Sequence, residues 1–311
     1  MNLLRGGLLA GLSLASVVLG STPVLAGTTP SAGAPDGTPH LLTELQFSSA
    51  ASSVPNVPGW TIGTDDGATL SVVSTPGPAG ASVYALEGSY PLPAPSGASY
   101  IWAGYSVASL NTEDLYIEFW ARMPGAKEGF KFVKVFGQHL SEGGYADTTF
   151  ATNYTGGDYG AITEISFGDG TSLDNDSQNV IRLDGAYPQW IGRSYGTAVV
   201  QTPQMSNFSS ADWGTGWHHF LMHVKFNSGT TAQNEVPNGE YFLEIDGKVY
   251  ADATGLFNRN PANPPIDRVG FFGWAQSDTS AFQIEYYDIR ISTGGFMPQT
   301  LPDPPANVKV Q

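Results

Sequence analysis

The sequence contains no cysteine. This absence excludes disulfide bonds, thiolate metal ligands and a cysteine nucleophile, so the fold has to rest on packing and hydrogen bonds. Positive charge is also scarce, with 13 Lys and Arg residues against 28 Asp and Glu residues and a formal net charge of −15. A field of that sign argues against nucleic acid and against a membrane surface as partners.

Long apolar runs are missing except near the start of the chain. Residues 1–26 combine Arg5, an apolar middle and a small-residue VLA end, which is typical of a signal peptide cleaved before Gly27. A retained membrane anchor is the alternative, but the run is short and is interrupted by Gly and Ser. We therefore expect a secreted or periplasmic protein.

Segments of low complexity flank the rest of the chain. Residues 27–40 are mostly Gly, Ser, Thr, Pro and Ala, with little to bury, which predicts a flexible leader. Residues 298–311 form a Pro-rich tail that looks like an interdomain linker. Between them, residues 41–297 are expected to form one domain, because a single all-β domain reaches this length.

Helical periodicity is not evident in this domain. Short alternating segments recur instead, separated by turns in a chain that holds 38 Gly and 22 Pro. This pattern predicts an all-β protein. Strands are expected at residues 41–47, 69–73, 82–86, 99–107, 114–123, 130–139, 161–167, 178–183, 197–201, 216–227, 240–250, 267–274 and 281–292.

The clearest strand is the segment GWHHFLMHVKFN at residues 216–227. Because side chains alternate across a strand, one face is apolar and the other carries imidazoles and an ammonium group. The apolar face holds Phe220, Met222 and Val224, and the polar face holds His219, His223 and Lys225. The next segment, residues 240–250, contains Asp246-Gly247, which predicts a tight hairpin turn.

Two earlier strands also carry polar side chains. Residues 114–123 read DLYIEFWARM, and their polar face presents Glu118, Trp120 and Arg122. Residues 130–139 contain Lys134 and end with Gln138 and His139. Neither of the two sets of alternate residues in this strand is uniformly apolar. The sequence therefore leaves open which side of this second strand faces the core.

Zinc binding by the pair His219 and His223 of the central strand is not expected. His219 and His223 are four residues apart, and on a strand that spacing separates their Cα atoms by roughly 13 Å, too far for one zinc ion. Together with Lys225 they form a row along which a polymer could lie. The alternative is that the imidazoles only hydrogen-bond to neighbouring strands.

The residue types favour a lyase over a hydrolase. A glycoside hydrolase needs two facing carboxylates, and only Glu118 and Glu244 are candidates for them. β-Elimination on a uronic-acid polymer needs a cation to neutralise the carboxylate, a base and an acid. The predicted catalytic residues are Arg122, His219, His223, Lys225 and Tyr286.

The predicted substrate-binding residues combine aromatic platforms with polar groups. They are Glu118, Trp120, Lys134, Gln138, His139, Glu244 and Trp274. Tryptophan rings can stack on sugars, although burial in a sandwich core is the alternative. For the cations, the alternative is an ion pair with Glu118 or Glu244 on the same sheet face.

An acidic loop, GDGTSLDNDS, is a candidate calcium site. Its carboxylates are Asp169, Asp174 and Asp176, and calcium prefers several hard oxygen ligands. The spacing does not match an EF-hand, so a solvated acidic turn is the alternative. A structural Ca²⁺ ion is the single cofactor expected.

Several motifs together resemble a known superfamily. The order EFWARMP, KFVKVFG, GWHHFLMHVKFN, NGEYFLEIDGKVY and YYDIRISTGGF is similar to concanavalin-A-like lectin/glucanase proteins, in the version of secreted bacterial polysaccharide lyases of the heparin lyase I type. This resemblance implies a jelly-roll β-sandwich of two curved antiparallel sheets. The fold serves lectins, hydrolases and lyases alike, so it does not imply one activity.

One departure limits what the resemblance implies. Alginate lyases of this fold place Gln and His one residue apart on a strand, whereas Gln138 and His139 are adjacent here and so point to opposite faces. No catalytic residue is therefore transferred by motif. We expect a monomeric lyase of a uronic-acid-containing polysaccharide, and the alternative is a non-catalytic, lectin-like carbohydrate-binding or adhesion protein.

Overall fold

A computed structural model describes most of the domain. The described residues are 31–91, 99–123, 131–137, 161–167, 181–185, 215–228, 236, 238–256, 265–275 and 281–298. Within these ranges there is no α-helix, and hence none long and apolar enough to cross a bilayer.

The described residues form fifteen β-strands and one 3₁₀ turn at Ala108–Leu110. The strands are β1 His40–Leu45, β2 Trp60–Asp65, β3 Thr69–Pro76, β4 Ser82–Tyr90, β5 Ser99–Ser106, β6 Asp114–Arg122, β7 Lys131–Gly137, β8 Ala161–Phe167, β9 Ile181–Gly185, β10 His218–Lys225, β11 Gly239–Ile245, β12 Lys248–Leu256, β13 Arg268–Phe271, β14 Trp274–Ala275 and β15 Phe282–Thr293.

These strands build two antiparallel sheets. Sheet A has the order β12-β11-β10-β6-β15-β4-β3, with β1 paired to β15. Sheet B has the order β14-β5-β13-β7-β8-β9, with β2 paired to β5. The two sheets pack face to face, which confirms the predicted jelly-roll β-sandwich. Some strands that are adjacent in the chain, such as β6 and β7, belong to different sheets.

The core lies between the inner faces of the two sheets and is rich in aromatic rings. Phe119 of β6 and Phe220 of β10 stack with centroids 4.8 Å apart. Phe271 of β13 meets Phe119 edge-on at 5.4 Å, which joins the two sheets. Because each of these rings is fully buried, their removal from water provides much of the driving force for folding.

The hairpin between β11 and β12 confirms the predicted turn. Ile245 pairs with Lys248, so only Asp246 and Gly247 form the loop. Both have left-handed φ angles, 53° and 79°, which match the twist of the flanking strands.

The segment Ser31–Pro39, called the strap below, lies on the outer face of sheet A. Ala32 is completely buried, and its N–H donates to Asp252 Oδ1 over 2.6 Å. A Cβ at Gly33 would come within 2.7 Å of the Phe242 ring, so only glycine fits there without a shift. The sequence predicted a flexible leader over residues 27–40, but from Ser31 onward the chain packs against the sheet.

Candidate functional site

The structure divides the predicted site residues between two opposite faces of the sandwich. One set lies on the outer face of sheet A, called face A, and comprises Glu118, Trp120, Arg122, His219, His223, Lys225 and Glu244. Lys134 lies instead on the outer face of sheet B, called face B, because its neighbours Val133 and Val135 point into the core. The predicted residues therefore do not form one constellation.

Other predicted residues lie elsewhere. Tyr286 faces the core, and its hydroxyl donates to the carbonyl of Phe132 over 2.8 Å. Trp274 belongs to β14 of sheet B. The remaining predictions, Gln138, His139, Asp169, Asp174 and Asp176, fall outside the described residues, so the calcium hypothesis stays a prediction.

The two face A histidines of the central strand are buried, and both imidazoles contact carboxylates. His219 Nε2 lies 3.0 Å from Glu118 Oε1, and its ring lies 4.7 Å from that of Trp120. The ring of His223 stacks on Tyr116 at 4.0 Å, with Nε2 2.6 Å from Asp114 Oδ1. Both imidazoles thus have the neighbouring-strand partners that the alternative hypothesis expected.

The cations of face A are held by carboxylates. Arg122 donates from Nε to Glu285 Oε2 over 2.6 Å, and its guanidinium lies 5.1 Å from the Trp217 ring centroid. Lys225 donates to Asp36 Oδ2 over 2.7 Å and to Glu240 over 3.3 Å. These positive charges are compensated and so add little attraction for an anionic ligand.

Arg290, on β15, is compensated in the same way. It donates to Glu44 over 3.0 Å and contacts Asp288 at 2.9 Å. Sequence analysis did not select this residue. A bulge between Tyr287 and Arg290 interrupts the strand alternation within YYDIRIS. Simple alternation therefore does not predict that Arg290 shares a face with Glu118.

A pair of glutamates that the sequence analysis missed lies beside Arg122. Glu87 of β4 and Glu285 of β15 are direct cross-strand partners. Burial raises the pKa of both carboxyl groups, and the charge of Arg122 opposes that shift without cancelling it. The pair is thus an acidic feature of face A beyond the part that the strap covers.

Face B is built differently, with glycines in the middle. Gly104 of β5 pairs with Gly270 of β13, and Gly270 pairs on its other side with Lys134 of β7. Because these two adjacent positions, Gly104 and Gly270, have no side chains, the surface of face B is recessed there. This recess is called the glycine floor below. Lys134 is partly exposed, with its ammonium 5.9 Å from the Phe136 ring centroid.

Arg268 lies across this glycine floor. It leans from its partner Ser106 toward Gly104, where its Cδ lies 3.2 Å from the position that a Cβ would take. The residue is only 8% exposed, and Nη1 is buried with no hydrogen-bond partner among the residues that the structure describes. A buried guanidinium donor without a partner is costly, which makes Arg268 a candidate for binding an acceptor group.

Two aromatic side chains accompany Arg268 on face B. The Trp102 indole lies directly over Gly63, where a Cβ would come within 2.1 Å of the ring. Tyr100 lies 5.5 Å from Trp102 by ring centroids, and both are partly exposed. Trp102 Nε1 also has no hydrogen-bond partner within the described ranges. Such rings can stack on sugars while the indole N–H donates to a hydroxyl.

The protonation state of Tyr100 follows from its environment. Burial raises its pKa above the ordinary value for a phenol. The hydroxyl therefore stays neutral at physiological pH and can donate a hydrogen bond. It is not suited to act as a base.

Sequence analysis selected Lys134 but missed Tyr100, Trp102 and Arg268. A signal was present, because SYIWAGY and RVGF alternate between core side chains and outer ones. The missing information was the pairing of β5 with β13, which brings these residues onto one face although the two strands are far apart in the chain.

A cleft of about 510 Å³ opens between the edges of the two sheets. Its lining includes Val54, Trp60, Ile62 and Leu70, and it contains no charged residue. Acid–base chemistry therefore has no titratable group to use there. The cleft is not the candidate site.

Potential metal ligands come together at one place among the described residues. The ligand atoms of Asp36, Asp114 and His223 all lie within 4.8 Å of one another. This group joins the strap to β6 and β10 and lies on the opposite side of the sandwich from Arg268.

Comparison with solved structures gives distant likenesses. The endo-β-1,4-glucuronan lyase of the fungus Trichoderma reesei is 9% identical with a TM-score of 0.45, over 82% of this chain and 96% of that one. An alginate lyase from a Chlorella virus is 12% identical with a TM-score of 0.45, over 76% and 93%. Lectin II from Ulex europaeus is 13% identical with a TM-score of 0.43, over 82% and 100%.

These neighbours include both lyases and a lectin, so a likeness this distant does not indicate what the present chain does. No protein-family model matches the sequence, and no curated protein matches it. Function has to be argued from the two faces themselves.

Proposed function

We propose that this protein acts on polysaccharides, binding a uronic-acid-containing glycan on face B and cleaving it by β-elimination. The observation that carries the proposal is Arg268, a nearly buried guanidinium whose Nη1 has no partner among the described residues. A uronate carboxylate is planar and accepts hydrogen bonds in the geometry that a guanidinium donates them.

The charge of the whole chain strengthens this choice of face. A protein with a net charge of −15 repels a polyanion unless cations are gathered where the polymer binds. On face A, Arg122 and Lys225 are already neutralised by carboxylates. On face B, Arg268 has no such partner within the described part of the chain, and Lys134 lies across Gly270 from Gly104.

The residues of face B fit parts of an elimination reaction. Arg268 would neutralise the uronate carboxylate, which makes the neighbouring C5 proton easier to remove. Tyr100, kept neutral by burial, would donate a hydrogen bond to the leaving glycosidic oxygen, which would take its proton from water. The base is not among the residues described, and the prediction that His139 lies near the site stays a prediction.

The experiment is an ultraviolet assay for unsaturated uronate on alginate, glucuronan, pectin, heparin and other glycosaminoglycans, with and without calcium. The wild-type protein should release product from one polymer. Arg268→Gln should lower kcat/KM by about 10²-fold or more, because one preorganised charge contact is lost. Arg122→Gln, on the opposite face, is the matched control. A folded Arg268→Gln protein with the wild-type rate would overturn the proposal.

A non-catalytic, lectin-like or adhesive function is the second candidate. It is favoured by the Trp102 and Tyr100 rings and the glycine floor, which suit stacking and need no catalytic base. Glycan retention on an affinity gel without any product from any polymer would support binding alone. Retention that depends on Arg268 would still place the ligand on face B.

Export from the cell is part of the proposal. If residues 1–26 are a signal peptide, the mature protein begins at Gly27, only a few residues before the strap. N-terminal sequencing of protein from the culture medium or the periplasm tests this directly. An intact Met1 on the purified native protein would contradict it.

A further inference from the structure

The cluster formed by Asp36, Asp114 and His223 contains an imidazole with constrained protonation. His223 Nδ1 contacts the backbone carbonyl of Ala32, which can only accept a hydrogen bond. Nδ1 therefore carries a proton. The other nitrogen, Nε2, lies 2.6 Å from Asp114 Oδ1.

This second contact requires a positive charge between the two atoms. A bare Nε2 lone pair facing a carboxylate oxygen at 2.6 Å would be repulsive. A shared proton fits this distance, and a metal ion that replaced the proton would need the two atoms to move apart to about 3 Å or more. His223 is completely buried, whereas the side chains of Asp114 and Asp36 are 21% and 41% exposed, so water can reach the carboxylate side of the cluster.

The charges around the imidazole favour a metal ion over a proton. The cluster and its neighbours hold three carboxylates, of Asp36, Asp114 and Glu240, and one ammonium, that of Lys225, which pairs with Asp36 and Glu240. Even with a protonated imidazole, the cluster would keep a surplus of negative charge.

The support around His223 is the kind that metal-binding imidazoles have. A ring N–H that donates to a backbone carbonyl fixes the tautomer and aims the other nitrogen at the metal. Here Ala32 accepts that bond, and the Tyr116 ring, stacked at 4.0 Å and 7°, fixes the plane of the imidazole. An imidazole with two carboxylates suits Zn²⁺ or Mn²⁺ better than Ca²⁺.

We propose that Asp36, Asp114 and His223 bind a divalent transition-metal ion, with zinc as the best fit, and that this ion clamps the strap onto sheet A. Asp36 Oδ2 accepts from Lys225, so Asp36 would bind the ion through Oδ1. Water would complete the coordination. The site is on face A and is independent of the proposed function of face B.

The test uses the full mature chain, free of any affinity tag and stripped with a chelator. Calorimetric titration with ZnCl₂ should show one ion bound per chain, and the midpoint of thermal unfolding should rise with zinc concentration. Hydrogen exchange at the strap amides should slow when zinc is added. Calcium is the comparison ion and should bind at least tenfold more weakly.

Variants separate this site from other histidines. His223→Gln and Asp114→Asn should each weaken zinc binding by about tenfold or more. Asp36→Asn lies on the strap and should fold even if a buried variant does not. His219→Gln, at a histidine of the same strand that is 9% exposed, is the control and should keep the wild-type affinity.

Three outcomes would overturn the inference. Zinc that binds no better than calcium would do so, as would zinc affinity that Asp36→Asn and His223→Gln leave unchanged. The third is a nitrogen NMR spectrum in which His223 carries protons on both ring nitrogens and does not respond to zinc, since a proton alone would then occupy the cluster.

Discussion

Two arginines of the same sandwich show how surroundings decide a residue's role. Arg122 donates to Glu285 and Thr75 on face A, so its charge is used within the protein. Arg268 is buried to a greater extent, yet its Nη1 has no partner in the described part of the molecule. The first arrangement stabilises a sheet face, and the second is the observation on which the proposed glycan site rests.

Tyr286 tests whether a residue predicted to be catalytic is instead structural. Its buried hydroxyl donates to the carbonyl of Phe132. Tyr286→Phe should lower the free energy of unfolding by about 1–2 kcal/mol, because a buried acceptor loses its partner. Turnover per folded molecule should not change. Denaturant unfolding and the ultraviolet assay measure the two effects, and a tenfold fall in kcat with unchanged stability would restore Tyr286 to the catalytic set.

Glu87 gives a prediction of pH dependence. Burial raises its pKa, and a raised carboxyl pKa means that the folded state favours the protonated form. The stabilising contribution is therefore present below the ordinary pKa and is lost as the pH rises through the folded value. Glu87→Gln should match the wild type at pH about 4 and exceed it by a few tenths of a kcal/mol at pH about 7, a small gain because the group is partly exposed.

Urea unfolding at both pH values measures this difference. Glu285→Gln is a useful comparison, since it also removes the ion pair with Arg122 and should not show the same gain. A Glu87→Gln protein that is less stable than the wild type at neutral pH would contradict the sign.

At the scale of elements, the alternation of single strands could be predicted from the sequence. Strands β6 and β10 have the expected apolar and polar faces, and Trp120 and His219 are direct neighbours across them. The sheet to which each strand belongs could not be predicted, because pairing joins residues far apart in the chain. Lys134 follows Arg122 closely in sequence, yet the two lie on opposite faces of the sandwich.

The strap shows a second limit of sequence analysis. Its composition is typical of a flexible leader, and its sequence does not indicate that it packs against a sheet. It packs because Gly33 lacks a side chain where Phe242 approaches and because Tyr116 donates to the Ala34 carbonyl over 2.9 Å. Such contacts depend on the shape of a distant surface and not on local pattern.

The β11–β12 hairpin yields a prediction at this scale. Asp246 has a φ of 53°, and its carboxylate accepts from the His219 N–H over 2.8 Å and lies 2.6 Å from His218 Nδ1. Asp246→Ala should lower the free energy of unfolding by about 1–2 kcal/mol, through lost hydrogen bonds and a strained backbone. Asp246→Asn tolerates this conformation and keeps an acceptor, so it should lose less.

Acid unfolding checks the ionic part of this prediction. Burial acts to raise the pKa of Asp246, but the bonds from His218 and His219 outweigh it and hold the pKa below the ordinary value. Its stabilising contribution is therefore present above the ordinary pKa and is lost as the pH falls through the folded value. If Asp246→Asn and the wild type differed more in acid than at neutral pH, this assignment would be contradicted.

For the whole molecule, the distribution of a small number of cations is the central feature. The chain carries a formal net charge of −15, and the positive groups of face A are tied into ion pairs with strands and strap. This arrangement holds sheet A and its strap together. Under the proposed function, the anionic polymer binds on face B instead. Binding on face B should therefore weaken as salt is added.

The most direct test of this account compares two forms of one polymer, the uronate glycan and its carboxyl-reduced counterpart. The wild-type protein and Arg122→Gln should both prefer the acidic form, by about tenfold or more in Kd, because Arg268 pairs with the carboxylate. Arg268→Gln should bind the two forms equally. If Arg268→Gln keeps the full preference while Arg122→Gln loses it, the glycan binds on face A and the account is contradicted.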